Sequence, residues 1–493
     1  MSGVISRRAL LGGLLAGVAL PATAGAPLTS LRPVPRGAKP PAMPPPAAAK
    51  IIRDARLGGS VGYAVADAKT GKLIEAYNAD ARMPPASVAK AVTAYYARTH
   101  LGPDHVFSTR LIAMGPITNG RLEGDLALVG GGDPTLDTDA LGGLVEALRD
   151  TGIHTVTGRL RIFAGALPQL RHIDPEQPDH VGYNPSVSGL NLNFNRVHFE
   201  WKRVKEDYAV TMQARDLRFR PSVEVAQMSI DAERRFPVFS YNGGAGIDRW
   251  SVARAALGRE GARWLPVRRA ARYSREVFIS LARSYGLVLK PGPDLEAPPR
   301  GEVLAVHNSA PLEEIIGSML RYSTNLSAEV LGLAATKSRG TDPHSLIASA
   351  RDMNRWIRND IGPRTTGFVD HSGLGDGSRI TPSDMVRILA HAGPDGPIRP
   401  LLKTFAIGND RLATSAEVRA KTGTLNFVSG LAGYIRANEN RELVFAIFTA
   451  DPERRDAIRI EDRERPPGSR SWSRRSRAMQ KQLIRRWLEL KPA

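Results

Sequence analysis

Two short runs of alternating apolar and polar residues flank a turn in SVGYAVADAKTGKLIEAYNA, with Val61, Tyr63 and Val65 on one face, and this spacing predicts a β-hairpin from Ser60. After Pro84 and Pro85, ASVAKAVTAYYARTHL is apolar nearly all round and predicts an alanine-rich helix. From about Leu101 to Trp264 the pattern changes to short strands and turns (TRLIAMG, RLEGDLALVGGGDPTL, HTVTGRLRIFA, YAVTMQA), the mark of one or two β-rich domains. Helical spacing returns in YSREVFISLARSYGL, SAPLEEIIGSMLRYSTNLSAEVLGLAA and TPSDMVRILAHAG, the last with Thr381 as cap, Pro382 at its first position and Asp384 as first-turn acid. GTLNFVSGLAGYIRANENRELVFAIFTA alternates again as a second hairpin. Met479, Leu483, Trp487 and Leu490 then predict a final amphipathic helix docked on the fold with its arginines solvated, the alternative being peripheral contact with a membrane.

The N-terminus changes the setting. Arg7 and Arg8, an apolar run from Ala9 to Leu20, and Ala22-Thr23-Ala24 predict an export signal over residues 1–26, twin-arginine-like or of the general secretory kind. Residues 27–49, rich in proline and alanine, read as a tether. The chain has 493 residues, a net charge of +19 and no cysteine. The missing cysteines exclude disulfides, thiolate metal sites and a cysteine nucleophile. The charge suits an anionic polymer or surface, and in an exported, periplasmic protein nucleic acid is not the expected partner. The ten histidines show no metal-ligand spacing, so no metal or other cofactor is expected. No later run is apolar enough for a transmembrane helix.

Three motifs carry candidate chemistry. Ser87-Val88-Ala89-Lys90 puts a hydroxyl and an amine at i and i+3, on one face at the start of the first helix. Lys90 is the only charged residue between Arg82 and Arg98, and burial would depress its pKa toward that of a general base. The same four residues also describe a helix-capping serine beside a surface lysine. S-x-N occurs as Ser240-Tyr241-Asn242, running into glycines as a turn does, and as Ser323-Thr324-Asn325 between two helical segments. Ala-Lys-Thr-Gly occurs twice. The copy at Ala68–Gly71 fits a hairpin turn, whereas Lys421-Thr422-Gly423-Thr424 opens a strand whose edge could hold a peptide. Gly130-Gly131-Gly132 lacks the remainder of a phosphate loop and reads as a tight turn.

In this order, S-x-x-K, S-x-N and K-T-G resemble the signature set of penicillin-binding proteins and serine β-lactamases. Ser87 and Ser323 stand 236 positions apart, far more than a compact β-lactamase leaves. With VGGGDPTL (Val129–Leu136), SGLNLNFNRV (Ser188–Val197) and DHSGLGDGSRITPSD (Asp370–Asp384), the chain resembles the D-alanyl-D-alanine carboxypeptidase/endopeptidase family, the class C low-molecular-mass penicillin-binding proteins. The resemblance implies an α/β (α+β) fold: an antiparallel sheet flanked by helices, residues 50–102 and 269–493, with β-rich domain(s) over 103–268 inserted between the first two motifs. It implies Ser87 as nucleophile, Lys90 as its base and Ser323 as proton relay. Asn325 would orient Lys90 and the substrate amide, and Lys421, Thr422 and Thr424 would hold the substrate's terminal carboxylate. Asp133, in the insertion, would either face the cleft and pair with a diaminopimelate amine or simply stabilise its glycine-rich turn. The expected partners are peptidoglycan stem peptides and cross-links, with β-lactams as covalent inhibitors. Thr324 departs mildly from the family, where aspartate is frequent. A serine β-lactamase and a catalytically silent wall-binding protein are the alternatives.

Overall fold

A computed structural model of the chain describes residues 47–438 and 441–490. The predicted leader and most of the tether lie outside the described residues. The first described helix, Ala48–Ala55, takes in the last two residues of the predicted tether. Everything described belongs to one compact unit. Among the described residues no helix is long and apolar enough to cross a membrane.

The predicted first hairpin is formed by Ser60–Asp67 and Leu73–Tyr77. Its turn holds the first Ala-Lys-Thr-Gly: the amides of Lys69 and Thr70 donate to Asp67 Oδ1 (3.1 and 2.8 Å), and Lys69 is exposed. Ser60–Asp67 does not stop at its hairpin partner. It pairs along its whole length, antiparallel, with Arg441–Ala450, which closes a six-stranded antiparallel sheet that also contains Lys403–Thr404, Glu417–Leu425 and Val428–Asn438. Side chains alternate faces along a strand. Val61, Tyr63 and Val65 therefore pack against the C-terminal helix Ser469–Glu489, through Trp472, Met479, Leu483 and Trp487. Ala64 and Ala66 face the other way, onto the helices Ala89–Leu101, Leu312–Tyr322 and Pro382–Ala392. Thr381 caps the last of these, accepting from Asp384 N (3.0 Å). The C-terminal helix is docked through its apolar stripe, as its spacing predicts.

A second core gathers residues from Leu111 to Ala305. It holds a four-stranded sheet (Glu302–Asn308, Ser108–Met114, Asp125–Val129, Leu160–Phe163) and two larger three-stranded sheets. The sequence pattern underestimates helix here. Thr138–Asp150 is a three-turn helix capped by Asp137, and its central Gly142-Gly143 obscures the periodicity. Gly142 is there for space: a Cβ on it would lie 2.4 Å from the Phe219 ring. The helix Ala270–Ser284 and the strand Glu302–Asn308 also pack on this second core, although they lie beyond residue 268. We therefore propose that the chain returns to the first core near residue 309.

Candidate active site

The chain reaches Ser87 under backbone constraint. Ala86 has φ +47, and Ala86–Val88 form a short 3₁₀ turn that runs into the helix Ala89–Leu101. Lys90, one turn on, is fully buried and points back, its Nζ 2.9 Å from Ser87 Oγ. The same nitrogen donates to Asn325 Oδ1 (2.7 Å) and to the Ser372 carbonyl (2.8 Å). A neutral amine has two N–H groups and one lone pair. Charged, Lys90 Nζ donates to all three oxygens; neutral, it keeps two of these bonds and its lone pair can receive the Ser87 proton. Burial, and then the nearby Lys421 cation, lower the Lys90 pKa to about 7.

Ser323 ends the helix Leu312–Tyr322 in the left-handed region (φ +60), and Asn325 begins the helix Asn325–Ser338. The break between the helices is what turns both side chains toward Lys90 and Lys421. Lys421 Nζ donates to Ser323 Oγ (3.0 Å) and to the Thr422 carbonyl (2.8 Å), and only 3% of the residue is exposed. Burial, followed by Lys403, lowers its pKa to about 8. Lys421 sits inside the strand Glu417–Leu425 instead of opening it. The strand comes this close to the serine because residue 423 is glycine: a Cβ there would lie 2.7 Å from Pro85 O and 3.0 Å from Ser87 N. Both are backbone atoms, so Gly423→Ala should push the strand away from Ser87. We expect its second-order rate of acylation by penicillin to fall on the order of 10²-fold, the scale of an ångström of misplacement. An unchanged rate would show that the strand has room to yield.

Ser87, Ser323, Asn325 and Thr424 line one cavity of about 570 Å³. Thr422 is exposed on the same strand but lies outside that lining. Asp133 is not brought to the others. Its carboxylate is 2% exposed and accepts from Thr135 N and Oγ1 (2.7 and 2.6 Å), with His307 Nε2 3.8 Å away. The glycine turn folds that carboxylate inward, against the segment that carries Asn191, whose Nδ2 donates to Asp133 O (3.3 Å). Ser240 lies on the strand Phe239–Asn242, bonded to Ser251, away from this cavity. His371 is buried with Nε2 2.7 Å from Ser349 Oγ, and burial drives its pKa down to about 3.

The pattern reading missed several residues that shape the site. Glu329, one turn after Asn325, is fully buried and accepts from the amides of His371 and Ser372 (3.0 and 2.9 Å). It thereby fixes the Ser372 carbonyl that Lys90 uses. Burial and the neighbouring Asp370 carboxylate hold its pKa well above the usual range. Tyr183 reaches in from the inserted segment, where its carbonyl accepts from Asn325 Nδ2 (2.8 Å) and so leaves Oδ1 facing Lys90. The far wall is basic, with Arg455, Arg463, Arg470, Arg474 and Arg477. A glutamate inside a helical run was the one signal for Glu329, and nothing local distinguishes Tyr183.

A serine hydroxyl bonded to a buried lysine whose pKa is lowered to about 7, and flanked by a second hydroxyl on a second buried lysine, defines an acyl-transfer site of the active-site-serine, penicillin-recognising kind. Residues 47–464 match the model of the D-Ala-D-Ala carboxypeptidase 3 (S13) family, and the chain belongs to that family of serine hydrolases. It is 29% identical over 447 residues to a D-alanyl-D-alanine carboxypeptidase of Actinomadura sp., covering 80% of this chain and 79% of that protein. It is 24% identical to the D-alanyl-D-alanine carboxypeptidase DacB of Haemophilus influenzae, covering 79% and 85%. The fold is similar to the crystal structure of penicillin binding protein 4 from H. influenzae, with TM-score 0.70, 20% identity, and 82% and 93% of the two chains covered. The antiparallel sheet with flanking helices expected from the sequence is therefore the fold observed.

Proposed function

We propose that the protein is an exported, periplasmic serine D-Ala-D-Ala carboxypeptidase and D,D-endopeptidase that trims peptidoglycan stem peptides and opens their cross-links. Ser87 Oγ adds to the carbonyl carbon of the D-Ala-D-Xaa amide while its proton passes to Lys90. The amides of Ser87 and Thr424 hold the oxyanion, each worth about 3 kcal/mol by the scale of other acyl-transfer sites. As the C–N bond breaks, Ser323 delivers the proton to the departing amine, replenished through Lys421 and Lys90. Water then hydrolyses the Ser87 ester. Lys421 and Thr424 receive the carboxylate next to the scissile bond, with Thr422 as a further contact. Asn325 orients Lys90 and the substrate amide.

The observation that carries this reading is the hydrogen-bonded set Ser87–Lys90–Asn325 and Lys421–Ser323, of which Ser87, Ser323 and Asn325 line one cavity. The test is to follow a labelled penicillin. We expect rapid acylation of Ser87 and an adduct that outlasts the turnover of a peptide substrate, because the tethered leaving group blocks the deacylating water. D-Alanine should be released from pentapeptide by the same preparation. Rapid loss of the adduct with hydrolysed penicillin accumulating would make it a β-lactamase, and no adduct at all would make it a wall-binding protein.

A further inference from the structure

One wall of the cleft is unused by the chemistry above. The helix Ser469–Glu489 presents Arg470, Arg474 and Arg477 to the cavity at i, i+4 and i+7, one face of the helix. All three are exposed. Among the described residues, Arg470 and Arg474 have no hydrogen-bond or ion-pair partner, and Arg477 meets only Thr424 Oγ1 (3.3 Å). This contrasts with the last turns of the same helix, where Arg485 pairs with Asp410 and Arg486 with Glu75 (2.7 and 2.8 Å). It contrasts too with the other arginines of the cleft, since Arg455 and Arg463 both face Asp376. The one glutamate in the lining, Glu464, is already held by His180 and Arg263 (both 2.8 Å). Like charges one turn apart repel, and cations in the first turns of a helix oppose its dipole. No acidic residue stands in that first turn to offset them.

We propose that this face is a subsite for carboxylates carried by the leaving group, which makes D,D cross-links the preferred substrates over free pentapeptides. The inference rests on the reading that the carboxylate beside the scissile bond sits at Lys421 and Thr424. Arg477 touches Thr424, so the row Arg477, Arg474, Arg470 continues outward on the leaving-group side. At 1.5 Å per helical residue it extends about 10 Å, the length of roughly three extended residues. A departing D-alanine has one carboxylate and ends at the start of this row. In a cross-link the departing amine belongs to a second stem peptide, whose further carboxylates fall along it. Guanidinium groups take such carboxylates in bidentate fashion.

The experiment is the double variant Arg470→Ala/Arg474→Ala, assayed on a purified cross-linked peptide dimer, on pentapeptide, and with penicillin. Both side chains are exposed and unpaired, so folding should be unaffected. We expect kcat/KM on the dimer to fall about tenfold, chiefly through KM, the scale of two exposed charge pairs. Pentapeptide hydrolysis and penicillin acylation should stay within about twofold of wild type. Lysines at both positions should restore part of the loss, and added salt should erase the wild-type preference. An unchanged dimer-to-pentapeptide ratio would overturn the subsite and leave the arginines a solvated face. A wild-type protein that neither cleaves peptide nor takes up penicillin would overturn the site reading, and the subsite with it.

Discussion

Ser87→Ala is expected to abolish covalent labelling by penicillin and to reduce D-alanine release on the order of 10⁴-fold or more, while the protein remains folded. The reason is that one oxygen forms the ester, and among the described residues no other hydroxyl is bonded to Lys90. Ser323 is hydrogen-bonded to Lys421, which serves as a cation, and it lacks the bond to Lys90 that Ser87 has. The structural cost is small. Among the described residues the hydroxyl's only hydrogen-bond partner is Lys90 Nζ, and losing one such bond costs about 1 kcal/mol. Intact-protein mass spectrometry after mixing with penicillin reads the result directly. A mass shift that persists in the variant and maps to another residue would remove Ser87 as nucleophile.

Lys90→Met comes next in size. Methionine fills much of the same buried volume without the amine, so the base disappears while the helix keeps its packing. Acylation should drop roughly 10²- to 10⁴-fold, the range for loss of a general base. Asn325 Oδ1 and the Ser372 carbonyl lose their donor, at about 1–3 kcal/mol each, so the thermal midpoint should fall as well. The wild-type pH profile is the accompanying readout. Lys90 acts as a base only when neutral, so acylation should rise as pH passes about 7. Lys421 serves as a cation, so the rate should decline above about 8. Lys421→Gln removes both the descending limb and the repulsion on Lys90, which moves the rising limb to higher pH. A flat profile from pH 6 to 9 would sink the assignment of both lysines.

The sequence alone determined what depends on neighbours along the chain. Alternation made Val61, Tyr63 and Val65 one face of a strand, and the spacing of Met479, Leu483 and Trp487 made a docked helix, because each period is a property of its own backbone. The three motifs were legible for the same reason: Ser87 and Lys90 share a helix face by spacing, and Ser323 to Asn325 fall where two helical runs break. Lys69 could be set apart from Lys421 because an exposed Asx turn is local chemistry. Helix Thr138–Asp150 escaped because its two glycines break the periodicity, and only Phe219, far along the chain, explains the first of them. The edge of the second core escaped too, since the strand that closes it, Glu302–Asn308, pairs with Ser108–Met114. Only the tertiary structure could decide that Ser60–Asp67 pairs with Arg441–Ala450, that Asp133 turns inward, and that Tyr183 holds the Asn325 amide. It also decided that Lys90 loses its charge near neutrality, because a pKa is set by burial and by a cation 331 positions away, neither of which leaves a trace in the local pattern of residues.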